Sequence, residues 1–210
     1  MTAVTGLPVD AARVPAIQRR TVRVLSAGTV LGGIAVAGSV AAGSRIAASA
    51  GDSAAAAALA QTAGGLGAAV LALPLARIAL SRGRRAALST GYGLGALGAV
   101  IVVFAAVQRN LWLVYLGCFF VGVASAAGYQ ARYAATDLAE DRHRARALSW
   151  VVWAATVGAV LGPNLLNASG NLGLALGLPQ LSGPYVVSAA CLLVAVGVLL
   201  VFLRPDPYLT

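Results

Sequence analysis

Side chains able to do chemistry are sparse in this chain, and they are scattered. The single histidine, His143, stands beside Asp141 in the polar stretch "AEDRHRAR" (139–146), and the nearest approach to a serine-nucleophile motif is "GDSA" at 51–54. There is no lysine, hence no Ser-Lys dyad, and no H-E-x-x-H helix for a metal. The two cysteines, Cys118 and Cys191, sit inside apolar runs, where neither metal-ligand spacing nor a disulfide framework applies, and both read as small buried residues. The expectation is a protein without catalytic residues, metal or cofactor. What remains is arginine and a handful of isolated amides. "RIALSRGRRAAL" packs Arg77, Arg82, Arg84 and Arg85 into nine positions, while Gln61, Gln130, Arg132, Asn164 and Asn167 interrupt otherwise apolar segments. Polar groups in such segments cost free energy unless satisfied, so they point to binding or gating, with these five as candidate substrate-facing residues.

The elements that must position these groups follow from composition. The chain is 60% hydrophobic and only 10% charged, a balance that a soluble domain of 210 residues does not tolerate. All 15 basic residues are arginine, and the isoelectric point is near 10.8. They punctuate apolar segments instead of gathering on one face, which excludes a nucleic-acid partner. A helix crosses the hydrocarbon with ~20 apolar residues. Six stretches meet that length, at about 24–43, 54–76, 86–107, 111–131, 147–168 and 184–203, so the lipid bilayer is the first partner. They divide the chain into a basic tail (1–23), a six-span membrane domain (24–203) and a short end segment (204–210). The first span also has the look of a signal peptide, but five further spans make it an uncleaved insertion signal. Absence of Lys with heavy Ala, Gly, Val and Arg use indicates a GC-rich, bacterial coding sequence, hence the inner membrane.

Arginine placement sets orientation, because basic loops stay in the cytoplasm. The amino-terminal tail, the second and fourth loops and the carboxyl end hold twelve of the 15 (Arg13, Arg19, Arg20, Arg23, Arg77, Arg82, Arg84, Arg85, Arg142, Arg144, Arg146, Arg204), against Arg45 and Arg109 on the other side. Both termini are therefore expected in the cytoplasm, and His143 and "GDSA" fall on opposite faces. Arg132, about 16 Å beyond the centre of its span at ~1.5 Å per residue, can snorkel to the interface. Trp112, Tyr115, Trp150, Trp153 and Tyr185 lie near span ends, where interfacial anchoring is the default. Small residues recur at helical spacing, at Gly64, Gly65 and Gly67, at Gly91, Gly95 and Gly98, and at Gly158 and Gly162. They mark faces that meet other helices.

Two loops and one span carry a resemblance. "SRGRRAAL" between spans two and three resembles the signature loop of the major facilitator superfamily, G-x-x-x-D-R-x-G-R-R, onto which Gly83, Arg84 and Arg85 fall; Ala76 and Leu80 stand where its first glycine and its acidic residue would be. "TDLAEDRHRARALSW" (136–150) is similar to the family's loop between spans four and five, matched at Asp137, Arg144 and Arg146. "VGAVLGP", with Gly158, Gly162 and Pro163, resembles the G-x-x-x-G-P motif in span five of facilitator antiporters. The arginine that proton-coupled drug exporters of the family carry in span four would align at Cys118.

The resemblance implies an all-α half bundle of two inverted three-helix repeats, half of a twelve-span transporter whose substrate site lies between its halves. It further implies a gating loop of Arg82, Gly83, Arg84, Arg85, Asp137, Arg144 and Arg146, with Asp137 placed to receive Arg84 or Arg85. Pro163 and its glycines are expected to fix where span five leans over the central cavity. The function so implied is transport of a small organic solute by alternating access, in the direction of efflux, with the missing carboxyl-terminal half or a second six-span chain as partner. A membrane scaffold or partner subunit without transport is the alternative.

Overall fold

The computed structural model describes residues 14–137, 139, 141–204 and 206. Arg13 and the side chain of Arg142, both counted in the loop charges, lie outside the described residues, as do residues 1–13 of the basic tail and most of 205–210. Among the described residues the chain is helical throughout: α1 (Val14–Gly51), α2 (Ala54–Arg82), α3 (Arg84–Gln108), α4 (Leu111–Ala134), α5 (Asp141–Asn164), a short α6 (Leu166–Ala175) and α7 (Gly183–Phe202). Six of these helices are long and apolar enough to cross a membrane. The chain is a multi-pass membrane protein.

The helices outrun the apolar windows because backbone hydrogen bonding, which sets helix length, does not stop where hydrocarbon stops. The 38 residues of α1 begin within the basic tail. Gln18 Nε2 donates to Ala135 O at 2.8 Å, so this protruding end is tied to the far end of α4. Helix starts follow local chemistry: Ser53 caps α2 by accepting from Ala56 N at 3.2 Å, and Asn110 caps α4 by accepting from Trp112 N and Leu113 N. The single apolar window at 147–168 is split. Helix α5 stops at Asn164, one residue beyond Pro163, and α6 restarts at Leu166. Proline supplies no N–H to the carbonyl four residues back, and its ring crowds the preceding turn.

Packing repeats itself between the two halves of the bundle. Helix α1 packs on α5 and α7 as α4 packs on α2 and α3, the pattern produced by two inverted three-helix units. The crossings are made by glycine. On α5, a Cβ at Gly158 would lie 2.5 Å from Val30 O and 2.9 Å from Gly33 Cα, and one at Gly162 would lie 2.8 Å from Gly38 N. On the equivalent α2–α4 face, a Cβ at Gly67 would collide with Phe119 O and one at Gly122 with Gly64 O. In lipid, association depends on such close backbone contact, since the hydrocarbon gives helices no hydrophobic reason to meet.

Three apolar clusters fill the interior, a small one around Leu75, Val123 and Ala126 and two larger ones that divide the bundle by its ends. Leu25, Leu88, Tyr92, Val151, Leu192 and Leu199 occupy the end near the α2–α3 turn, and Ile46, Val102, Val114 and Tyr185 the other. Trp112, Trp150 and Trp153 are exposed, but Tyr185 is buried. The interfacial reading of Tyr185 is corrected by its hydroxyl, which donates to Ser39 O at 2.9 Å and lies 3.6 Å from Cys118 Sγ. A tyrosine near a span end buries its ring when a neighbouring helix offers its hydroxyl a partner. Cys191 is only half-buried, unlike Cys118.

Candidate functional site

At one end of the bundle a single residue, Gly83, joins α2 to α3. Its φ of 89° is closed to most residues with a Cβ, and its N–H still bonds to Ala79 O, so the chain reverses without leaving a helix end frayed. The turn delivers Arg84 to the C-terminal part of α4. Arg84 Nε meets Asp137 Oδ2 at 2.8 Å, Nη2 meets Oδ1 at 3.3 Å, and Nη1 donates to Gln130 Oε1 at 3.0 Å. Two parallel N–H···O contacts on one carboxylate form the bidentate fork for which guanidinium is shaped. With side-chain exposures of 13% and 19%, the pair is shielded from most, but not all, solvent screening.

A second carboxylate arrives from the opposite end of the sequence. Asp206, just past α7, accepts Arg84 N–H at 3.0 Å and Arg85 N–H at 2.8 Å. These are orphan donors of the first turn of α3, where the helix dipole also favours negative charge. The sequence had not singled out Asp206; its only local signal is an acid between two prolines, "RPDP".

The remaining loop residues are arranged less tightly. Arg82 and Arg146 are exposed, and Arg144 Nε donates to Ala139 O at 3.2 Å. Leu80 is an exposed aliphatic side chain. Arg132 lies with its guanidinium carbon 5.0 Å from the Tyr129 ring centroid, a cation–π contact.

Elsewhere in the bundle α1, α2 and α4, with Tyr185 of α7, line a cavity of about 310 Å³. Its polar lining comprises Ser39, Ser44, Gln61, Ser125, Tyr129 and Tyr185, with Cys118 beside them, and no charged side chain among the described residues. Of the five candidate substrate-facing residues only Gln61 lines it. Gln130 is engaged with Arg84, which satisfies its carbonyl oxygen away from the cavity. Asn164 donates to Val160 O at 2.7 Å, adding a donor next to the carbonyl that Pro163 leaves unserved, and Asn167 is exposed on α6. None of this cavity's lining comes from α5, whose Gly158 and Gly162 bring it against α1.

Residues 24–210 match the family model described as Major Facilitator Superfamily. The chain is 39% identical over 191 residues to the uncharacterized MFS-type transporter YdeG of Bacillus subtilis, covering 91% of this chain and 44% of that protein. To the uncharacterized MFS-type transporter YddS of the same organism it is 42% identical over 141 residues, 67% of this chain and 32% of the relative. It is 35% identical over 101 residues to the riboflavin transporter RfnT of Brucella anthropi, 48% of this chain and 25% of the relative. The chain thus spans less than half the length of these relatives. No solved structure matches it significantly.

Proposed function

Because the chain belongs to the major facilitator superfamily, a family of membrane transporters and not of enzymes, we propose that it is the amino-terminal half of a secondary transporter exporting a small organic solute by alternating access. The observation that carries this reading is the Arg84, Asp137 and Gln130 cluster that ties the start of α3 to the end of α4, beside an uncharged polar cavity lined by α1, α2 and α4. A site that must face one side at a time needs both features. The volume suits a small organic molecule, and riboflavin, named for one relative, is the natural first compound to try. The lining offers hydroxyls and an amide, so it orients cargo by hydrogen bonds while the partner half supplies the opposite wall. That partner is the remaining, carboxyl-terminal half or a second six-span chain. The Gly-Pro motif of span five favours efflux.

Arginine-rich loops at the latched end support a topology with that end, and both termini, in the cytoplasm of a bacterial inner membrane. The test uses the full-length transporter carrying this chain, reconstituted in liposomes with a panel of small organic solutes that includes riboflavin. Flux of at least one solute, lost in Arg84→Ala, supports the reading. Folded protein that moves none of them, yet co-purifies with another membrane protein, favours the scaffold alternative. In cells, an Ala55→Cys variant should react with an impermeant maleimide from outside and a Ser81→Cys variant should not; the reverse overturns the orientation.

A further inference from the structure

We propose that Asp206 is a positioning residue for Arg84: it fixes the first turn of α3 so that the guanidinium is held on Asp137, and makes the latch depend on where the chain beyond α7 lies. The inference goes beyond the transporter reading, on which only its consequence for transport rests. Arg84 is gripped at both ends. Its N–H is taken by Asp206 Oδ1 at 3.0 Å, its guanidinium by Asp137 and Gln130, and the neighbouring Arg85 N–H by Asp206 Oδ2 at 2.8 Å.

The space for this carboxylate is built in. Gly83, the residue before α3, has no side chain to cap the helix, and a Cβ there would overlap the Asp206 carboxyl group. Removing the side chain at the capping position therefore admits a cap that lies 122 residues beyond Arg84. The two acceptor oxygens face two orphan N–H groups at the positive end of a 25-residue helix, a charge-assisted arrangement stronger than a neutral cap. With that turn fixed, the guanidinium loses little further freedom in meeting Asp137. With Asp206 withdrawn, the first turn of α3 frays, and the side chain it carries leaves α4 more readily. Any displacement of the segment after α7 is thereby felt at the end of α4, through one residue.

The test measures amide hydrogen exchange and cavity accessibility in the full-length protein. Accessibility is read as the maleimide reaction rate of a cysteine placed at Gly65, which lines the cavity and has nothing within 4 Å of a Cβ. The background carries Cys118→Ser and Cys191→Ser. In Asp206→Ala, exchange at Arg84 and Arg85 should rise about five- to thirtyfold, the range that loss of a charged cap implies. The Gly65→Cys rate should change in the same direction as in Asp137→Asn, and the double variant should change no more than Asp137→Asn alone. Asp206→Glu, which keeps the carboxylate, should restore both. Unaltered exchange overturns the contact. Raised exchange with an unaltered rate, or additive effects, reduces Asp206 to a helix cap and overturns the positioning role. The isosteric Asp206→Asn carries the same comparison should Asp206→Ala fail to fold. Neither measurement needs a substrate, so failure here is distinct from failure to find a transported solute.

Discussion

Arg84 and Asp137, 53 residues apart in sequence, meet through a 2.8 Å Nε–Oδ2 contact that fastens the start of α3 to the end of α4. Because the pair is mostly, but not fully, screened from solvent, its loss should cost about 1–3 kcal/mol, less than for a fully buried pair. That range is enough to move a two-state balance roughly five- to a hundredfold. Arg84→Lys offers a point charge where a fork is needed and should behave like Asp137→Asn: folded, less thermostable in detergent, and slower in solute flux. Wild-type flux in both variants would show that the pair serves topology alone.

Glycines of α2 separate by what lies opposite them. Gly67 faces Phe119 O and, across the same contact, Gly122 faces Gly64 O, so a methyl group at either must push two backbones apart. Gly65 faces open space. Gly67→Ala and Gly122→Ala should each lose about 1–3 kcal/mol by overpacking and give poor folded yield, while Gly65→Ala should express as the parent does. Size-exclusion profiles and melting temperatures of the three variants decide it. Equal losses in all three would mean that helix propensity or lipid contact, and not the α2–α4 crossing, governs the region.

The buried end of Tyr185 makes a steric prediction with a built-in rescue. A Cβ at Gly43 would collide with the Tyr185 hydroxyl, whose removal leaves the Cys118 Sγ at 3.3 Å and the ring carbon Cζ at 3.5 Å, so that only a shift of a few tenths of an ångström at Cys118 is still needed. Tyr185→Phe alone should cost about 1 kcal/mol, for the lost bond to Ser39 O. Gly43→Ala alone should be destabilising, and Gly43→Ala with Tyr185→Phe should recover stability relative to Gly43→Ala. Simple additivity of the two melting shifts would place the clash elsewhere.

These residues also show how far the sequence was legible. The spans could be read because a bilayer imposes one length and one polarity on anything that crosses it. Gly83, Arg84 and Asp137 could be read because they fall on the signature loops of the family the chain resembles. Asp206 could not: its partner is the backbone of α3, and main-chain donors leave no trace in a sequence. Tyr185 was misjudged because an aromatic residue near a span end has the same surroundings in sequence whether it faces lipid or a neighbouring helix. Gln130 lies within one span, but what satisfies it is Arg84, on another. Nor could spacing alone say that Gly158 and Gly162 meet α1 and leave the cavity to α1, α2 and α4.

Pro163 is where helix geometry and transport separate most cleanly. It ends α5 near Asn164, and the Asn164 amide donates to Val160 O at 2.7 Å within the disturbed turn. Alanine would restore the missing N–H, allow α5 to run on into α6, and leave the Gly158 and Gly162 contacts with α1 untouched. Stability should therefore hold or rise, by up to about 3 kcal/mol if the break is as unfavourable as proline in an ordinary helix interior. A continuous helix would also be stiffer about the point where α5 leaves α1, so any motion that bends there should slow. Pro163→Ala in the full-length transporter should give normal folded yield, an unchanged or higher melting temperature and impaired flux. Gly158→Leu, which drives a side chain into the backbone of Val30 and Gly33, should lose yield and flux together. Should Pro163→Ala transport at the parental rate, the break would be a packing device, and the hinge of alternating access would lie outside span five.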